Sequence, residues 1–236
     1  RKASKHCYLL ESASQTEVWG RYSFLGYEPT MEITCTDGTM KIRRTEGVDQ
    51  GEITKQVVHP GDVLREILKE YKSPVMEDMP PFTGGLVGYF SYDYIKYSEP
   101  KLKLGEHEDP DFRDMDLMLF DQVIAFDHYR QKVLLITGVM LDDLEKSYQK
   151  AEKKLQEMAD LIRNGEKEEF PPLELESEIK PQFPKEKYCE MVEKAKHYIH
   201  EGDIFQVVLS NPMRAKAEGS LFDTYRVLRA TNPSPY

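Results

Sequence analysis

Two periods run along the chain, and between them they predict most of its elements. A period of two marks "MEITCT" and "TMKIRR", residues 31–36 and 39–44, as strands on either side of Asp37-Gly38, a pair that favours a two-residue hairpin turn. "HCYLLES" and "GRYSFLGY" are rich in strand-forming residues and flank the turn-prone "ASQTEVW". A period near 3.6 marks "PGDVLREILKEYK" as a helix, with Pro60 at its start and Val63, Leu64, Ile67, Leu68 and Tyr71 in one stripe. "GGLVGYFSYD" returns to strand, and "LMLFDQVIAFDHYRQKVLLITGVM" reads as two long antiparallel strands turning near Asp127 to Gln131. The span 141–164 is a second helix, with Leu144, Tyr148, Ala151, Leu155, Met158 and Ile162 on one face and Gly165 as its stop. Its lysines and glutamates form a solvated opposite face.

The pattern then lapses. "GEKEEFPPLELESEIKPQFPKEK" is charged, punctuated by proline and without sustained period, so 166–186 reads as a linker between a first domain, 1–165, and a second region, 187–236. Beyond it, Tyr188, Met191, Val192, Ala195 and Ile199 stripe a third helix that ends near Gly202. "DIFQVVLS" follows as a short apolar run and is expected to be a buried strand. A fourth helix is expected from Ser220, its N-cap, to Thr231, because Pro233 and Pro235 cannot continue it. One strand between helices has too few sheet partners to be a domain, so this second region is expected to be incomplete or to complete a sheet begun elsewhere.

Composition narrows the function. The chain has 236 residues, 39% of them hydrophobic and 31% charged, with a net charge of −10. That balance fits a globular protein and argues against nucleic acid or an anionic membrane as partner. No apolar run is long enough to span a bilayer, and "RKASKHCYLLES" lacks the form of a signal peptide. Three cysteines, Cys7, Cys35 and Cys189, lack metal-ligand spacing and suit a reducing compartment, which makes the cytoplasm the expected location. Gly84, Gly85 and Gly88 stand without the lysine and hydroxyl residue of a phosphate loop, and inside a strand such glycines mark close backbone approach. His197 and His200 lack a third ligand, and no nucleophile elbow is present. Gln206, in the middle of the apolar run, is unexplained by these patterns. A buried amide there must find partners for two donors and an acceptor, at a strand edge or in a structural hydrogen bond.

Four stretches, "LLES" with "GRYSFLGYEP", "PPFTGGLVGYFSYD", "YCEMVEKAKHYIHEGDIFQVVLS" and "LFDTYRVLRATNPSPY", together resemble the large-subunit (component I) family of anthranilate synthases, among the chorismate-using enzymes. The resemblance covers nearly the whole chain. It implies an α+β fold of antiparallel β-sheets packed face to face with outer helices, incomplete here. It implies Mg²⁺-assisted addition of ammonia to chorismate and elimination of pyruvate, with ammonia from a glutamine amidotransferase subunit and feedback inhibition by tryptophan. The chain stops inside the family's "NPSPYM" motif, and family members are longer. It is therefore expected to be a truncated N-terminal part, inactive alone, with the magnesium ligands outside it.

Carried over residue by residue, the resemblance places the inhibitor tryptophan against Leu10, Glu11 and Ser12 on one side and Pro235 and Tyr236 on another. Arg21, Tyr22 and Ser23 are further candidates for that site. The chemistry suits a zwitterionic indole: an acceptor for its ammonium, a donor for its carboxylate, and apolar walls. Gln206 takes a catalytic reading. Chorismate enzymes that add water carry a lysine on the corresponding strand, able to act as a base. Glutamine cannot do so, but it can orient ammonia, which has its own lone pair. Two alternatives stand beside this reading: aminodeoxychorismate synthase component I, and a non-catalytic module for tryptophan binding or subunit docking.

Overall fold

The computed structural model describes residues 4–11, 20–45, 50–102, 104 and 112–234. In chain order its first part holds strands β1 (Cys7–Leu10), β2 (Tyr22–Tyr27), β3 (Met31–Thr36), β4 (Thr39–Arg44) and β5 (Gly51–Gln56), then helix α1 (Pro60–Glu70) and β6 (Gly85–Phe90). A 3₁₀ helix (Tyr92–Tyr97) follows, then β7 (Met115–Phe120), β8 (Gln122–Asp127), β9 (Lys132–Thr137) and helix α2 (Leu144–Asn164). All ladders are antiparallel, in two sheets ordered β1-β2-β8-β9 and β5-β4-β3-β7-β6.

Alternation builds the five-stranded sheet. Met31, Ile33 and Cys35 of β3 and Met115, Leu117 and Leu119 of β7 point to one buried face, and Leu64 and Ile67 of α1 cover it with Val63 and Tyr71. Leu68, the remaining member of the expected stripe, stays exposed. Asp37 and Gly38 both have positive φ, 47° and 75°, the backbone that a two-residue hairpin of the favoured hand requires. The turn is tied down by a buried carboxylate. Asp114 Oδ2 accepts from the Asp37 amide at 2.8 Å and from the Tyr97 hydroxyl at 2.7 Å, and Lys96 Nζ lies 2.8 Å from Oδ1. Burial pushes this carboxyl up, but the Lys96, Tyr97 and Asp37 donors outweigh it and hold it below the usual carboxylate range. Gly88 of β6 fits the expectation of close approach, since a Cβ there would collide with the Asp116 carbonyl across the ladder.

The expected long strand through 117–127 is two strands in different sheets. β7 ends at Phe120 and β8 begins at Gln122, so the chain changes sheet at Asp121. It changes sheet again between β2 and β3 through Glu28, whose φ is 52°. The buried Gln122 amide spans the two crossings by donating to the Tyr27 carbonyl at 2.7 Å. β5 carries no pattern that predicts it: "GEITKQ" has all six residues exposed and one large apolar side chain. α2 starts at Leu144, capped by Asp143 accepting from the Lys146 amide at 3.4 Å. Ala151 and Met158 of its face are buried and Leu155 packs beside them, whereas Leu144, Tyr148 and Ile162 are exposed.

The chain separates into two compact units, one through Lys167, to which Pro233 and Ser234 also belong, and one spanning Glu168–Asn232. The second contains β10 (Glu174–Leu175), β11 (Lys180–Pro181), helix α3 (Lys185–Glu201), β12 (Met213–Arg214), β13 (Ala217–Glu218) and helix α4 (Phe222–Thr231). Two short antiparallel ladders, β10 with β13 and β11 with β12, bind the proline-rich segment into this unit. α3 stops at Gly202, where the Gly202 and Asp203 amides donate to the Ile199 and Tyr198 carbonyls. α4 begins one residue later than expected, with Leu221 at the cap position and Ser220 Oγ accepting from the Phe222 amide at 3.2 Å. No residue of this unit is buried.

The apolar run at 204–210 corrects the expectation of a buried strand. It forms no strand, Phe205 is 100% exposed and Val208 90%. A strand needs a ladder for its amides and carbonyls, and among the described residues none pairs with this run.

Candidate functional site

Of the residues expected around the inhibitor, Leu10, Tyr22 and Ser23 lie on the four-stranded sheet and Arg21 directly precedes β2, and strand register decides which side each strand residue occupies. Leu10 stands opposite Phe24, and Tyr22 opposite Asp127. Because facing residues share a side of the sheet, Leu10, Tyr22, Phe24, Ala125 and Asp127 look one way. Tyr8, Leu134 and Ile136 join them, and Met79 and Phe82 pack over this face. The Phe24 ring meets Phe82 edge-on at 5.6 Å and lies stacked 5.8 Å from Tyr22. Ser23 looks the other way, where Leu25, Ile124 and Phe126 meet Leu155 and Met158 of α2.

A carboxylate at the margin of an apolar face needs a cation, and Arg21 supplies it. Its Nε donates to Asp127 Oδ1 at 3.0 Å and its Nη2 to Oδ2 at 2.6 Å. The same guanidinium lies 4.9 Å from the Tyr22 ring centre and 5.6 Å from that of Tyr129. Asp127 Oδ1 also accepts from the Arg130 amide at 3.0 Å, closing the turn between β8 and β9. Hydrogen bonding by Arg21 outweighs burial and holds the Asp127 carboxyl at about 2. On the far side, Ser23 Oγ and His128 Nε2 share a hydrogen bond of 2.7 Å, and the His128 amide donates to the Arg21 carbonyl at 2.9 Å.

The structure thus brings Leu10 and Tyr22 onto one face and Arg21 to its margin, and it buries Ser23 on the opposite face. Glu11 follows β1 directly and is half-buried. Ser12, Pro235 and Tyr236 lie outside the described residues. Gln206 belongs to the second unit and is exposed, and among the described residues no hydrogen bond takes up its amide. An open groove of about 440 Å³ elsewhere in that unit, lined by Ser177, Glu178, Lys180, Arg214, Ala215 and Lys216, contains none of the expected site residues. Among the described residues no three His, Cys, Asp or Glu side chains are arranged to hold a metal ion, so the magnesium implied by the resemblance finds no ligand set there. Among the same residues no helix is long and apolar enough to cross a membrane.

In the sequence Asp127, His128 and Tyr129 present only a turn. A signal was present: the buried face of β8 runs Val123, Ala125, Asp127, so the alternation itself carries an acid onto an apolar face.

The profile of the family described as chorismate binding enzyme matches residues 5–236. "Anthranilate synthase component 1" of Acinetobacter calcoaceticus is 36% identical over 97% of this chain and 46% of its own length. The protein of the same name from Acetivibrio thermocellus is 32% identical over 99% of this chain and 48% of its own. The chain thus spans about half the length of the curated relatives it matches. The crystal structure of anthranilate synthase component I from Streptococcus pneumoniae TIGR4 superposes with a TM-score of 0.71 at 30% identity, covering 99% of this chain and 49% of that one. That likeness agrees with antiparallel sheets and helices in an incomplete α+β fold.

Proposed function

The chain belongs to the chorismate binding enzyme family, and from that premise we propose that it forms part of an anthranilate synthase component I. The complete enzyme adds ammonia to chorismate and eliminates pyruvate to leave anthranilate, with ammonia delivered by a glutamine amidotransferase subunit. The reading is carried by breadth of likeness: relatives of that name align with almost all of this chain.

Within the reaction, Gln206 orients the ammonia. A neutral amide is no base at working pH, and ammonia needs none to become a nucleophile. The amide is exposed and uncommitted among the described residues, which leaves it available for that task. The four-stranded sheet serves regulation. Leu10 and Tyr22 offer apolar walls to the indole of tryptophan, Glu11 accepts from its ammonium, and Ser12 donates to its carboxylate, with Pro235 and Tyr236 as the further wall.

The test is product analysis of the complete enzyme given chorismate and ammonium. Anthranilate with pyruvate in equal amount is expected, whereas aminodeoxychorismate without pyruvate would overturn the reading. Gln206→Ala should lower ammonia-dependent kcat/KM at least tenfold, since a positioned hydrogen bond in the transition state is worth about 1.4 kcal/mol or more. This chain expressed alone should form no anthranilate by fluorescence.

A further inference from the structure

The cluster at the start of β2 has too many commitments to be a plain ligand contact. Arg21 gives two hydrogen bonds to a buried carboxylate and lies against two aromatic rings. Lending this guanidinium to an incoming carboxylate would leave Asp127 charged and buried with backbone amides but no counter-charge, a costly arrangement. Ser23 is buried on the side of the sheet away from Leu10 and Tyr22, and its hydroxyl is bound to His128. Yet both residues flank Tyr22 in sequence. With the His128 amide on the Arg21 carbonyl and Asp127 closing the turn to Arg130, these bonds form a latch that fixes Tyr22 from both sides.

We propose that Asp127 and His128 are positioning residues of the tryptophan site: through Arg21 and Ser23 they hold the Tyr22 ring on the face it shares with Leu10. The inference rests on the reading of that face as the inhibitor site. It assigns Arg21 and Ser23 to the latch and leaves Tyr22 as the member of that tripeptide that meets the ligand. The Tyr22 side chain is half-buried and stacked on Phe24, so a loosened latch frees it to turn from the ligand.

Tryptophan binding to the complete enzyme, followed by calorimetry at a temperature where every variant is folded, tests this. Asp127→Asn and Arg21→Gln should each raise the Kd for tryptophan about tenfold, and the double variant should raise it no further, because both break one latch. His128→Ala should raise it about threefold and His128→Gln should restore it in part, by keeping a hydrogen-bonding group toward Ser23. A staple serving stability alone would lower the unfolding temperature and leave Kd in place, and that result overturns the proposal. So does a weakened Arg21→Gln beside an unweakened Asp127→Asn, which would make Arg21 a direct contact. Should Asp127→Asn fail to fold, the two His128 variants decide in the same way. An unaltered enzyme that takes up no tryptophan overturns the underlying site reading as well, whereas binding with unmoved variants overturns the latch alone.

Discussion

Helices α2 and α3 are written in the same style, with apolar stripes and lysine-glutamate faces, and they end differently. Ala151 and Met158 of α2 are buried, Met158 against the four-stranded sheet, while Met191, Val192 and Ala195 of α3 are only half-covered and Ile199 is exposed. The contrast extends to the whole of each unit. The first has three buried apolar clusters, and the second has no buried residue. An amphipathic pattern states which face an element must cover, but the cover has to come from another element. α3 is well formed because local bonds and its Gly202 cap suffice for a helix; they do not supply a core.

The difference predicts unequal responses to equal substitutions. Leu119→Ala, at a fully buried position of the five-stranded sheet, should cost about 2–5 kcal/mol in denaturant unfolding of the first unit. Asp127→Asn should cost about 1–3 kcal/mol there, by removing a charged acceptor from a bidentate pair. Its sign with pH follows from a carboxyl lowered in the folded state from 3.8 to about 2. The stabilisation is fully present above the ordinary carboxylate pKa and is lost as pH falls through about 2. An acid titration of unfolding should therefore be flatter between these limits in Asp127→Asn than in the parent chain. Smallest of all, Val208→Asp in this chain should change stability by no more than about 0.5 kcal/mol, since the side chain is 90% exposed. A loss as large as that of Leu119→Ala would mean that the run at 204–210 is covered, and the contrast between the units would fall.

Elements whose signal is local were legible before the fold was known. The β3–β4 hairpin announced itself through alternation and Asp37-Gly38, and α1 through its stripe and Pro60. β5 was hidden because an exposed edge strand has no buried face to write into its sequence. The break at Asp121 was hidden for the opposite reason: β8 has five of its six residues buried, Gln122 among them, so two polar residues between apolar runs look like part of one strand and not like a crossing. The run at 204–210 was legible as apolar and misjudged as buried, since its sequence cannot say whether a ladder is at hand. At the site, resemblance supplied Leu10 and Tyr22, but the partners of Arg21 and Ser23 stand more than a hundred positions away and no local pattern connects them.

The pairing of β2 with β8 has a consequence for the order in which the molecule assembles. Tyr22 faces Asp127, so the ladder closes a loop of roughly a hundred residues, at an entropic cost of about 3 kcal/mol beyond that of a four-residue turn. The β3–β4 hairpin spans fourteen residues, from Met31 to Arg44, and can zip outward from the Thr36–Thr39 pair, whose short turn avoids that excess. During synthesis that hairpin and the β1–β2 pair can form while their surroundings are still being made, whereas β8 cannot join β2 until the ribosome has passed Asp127. The seam that brings Asp127 and His128 beside Tyr22 and Ser23 is thus among the late contacts of the first unit, closed after its local hairpins.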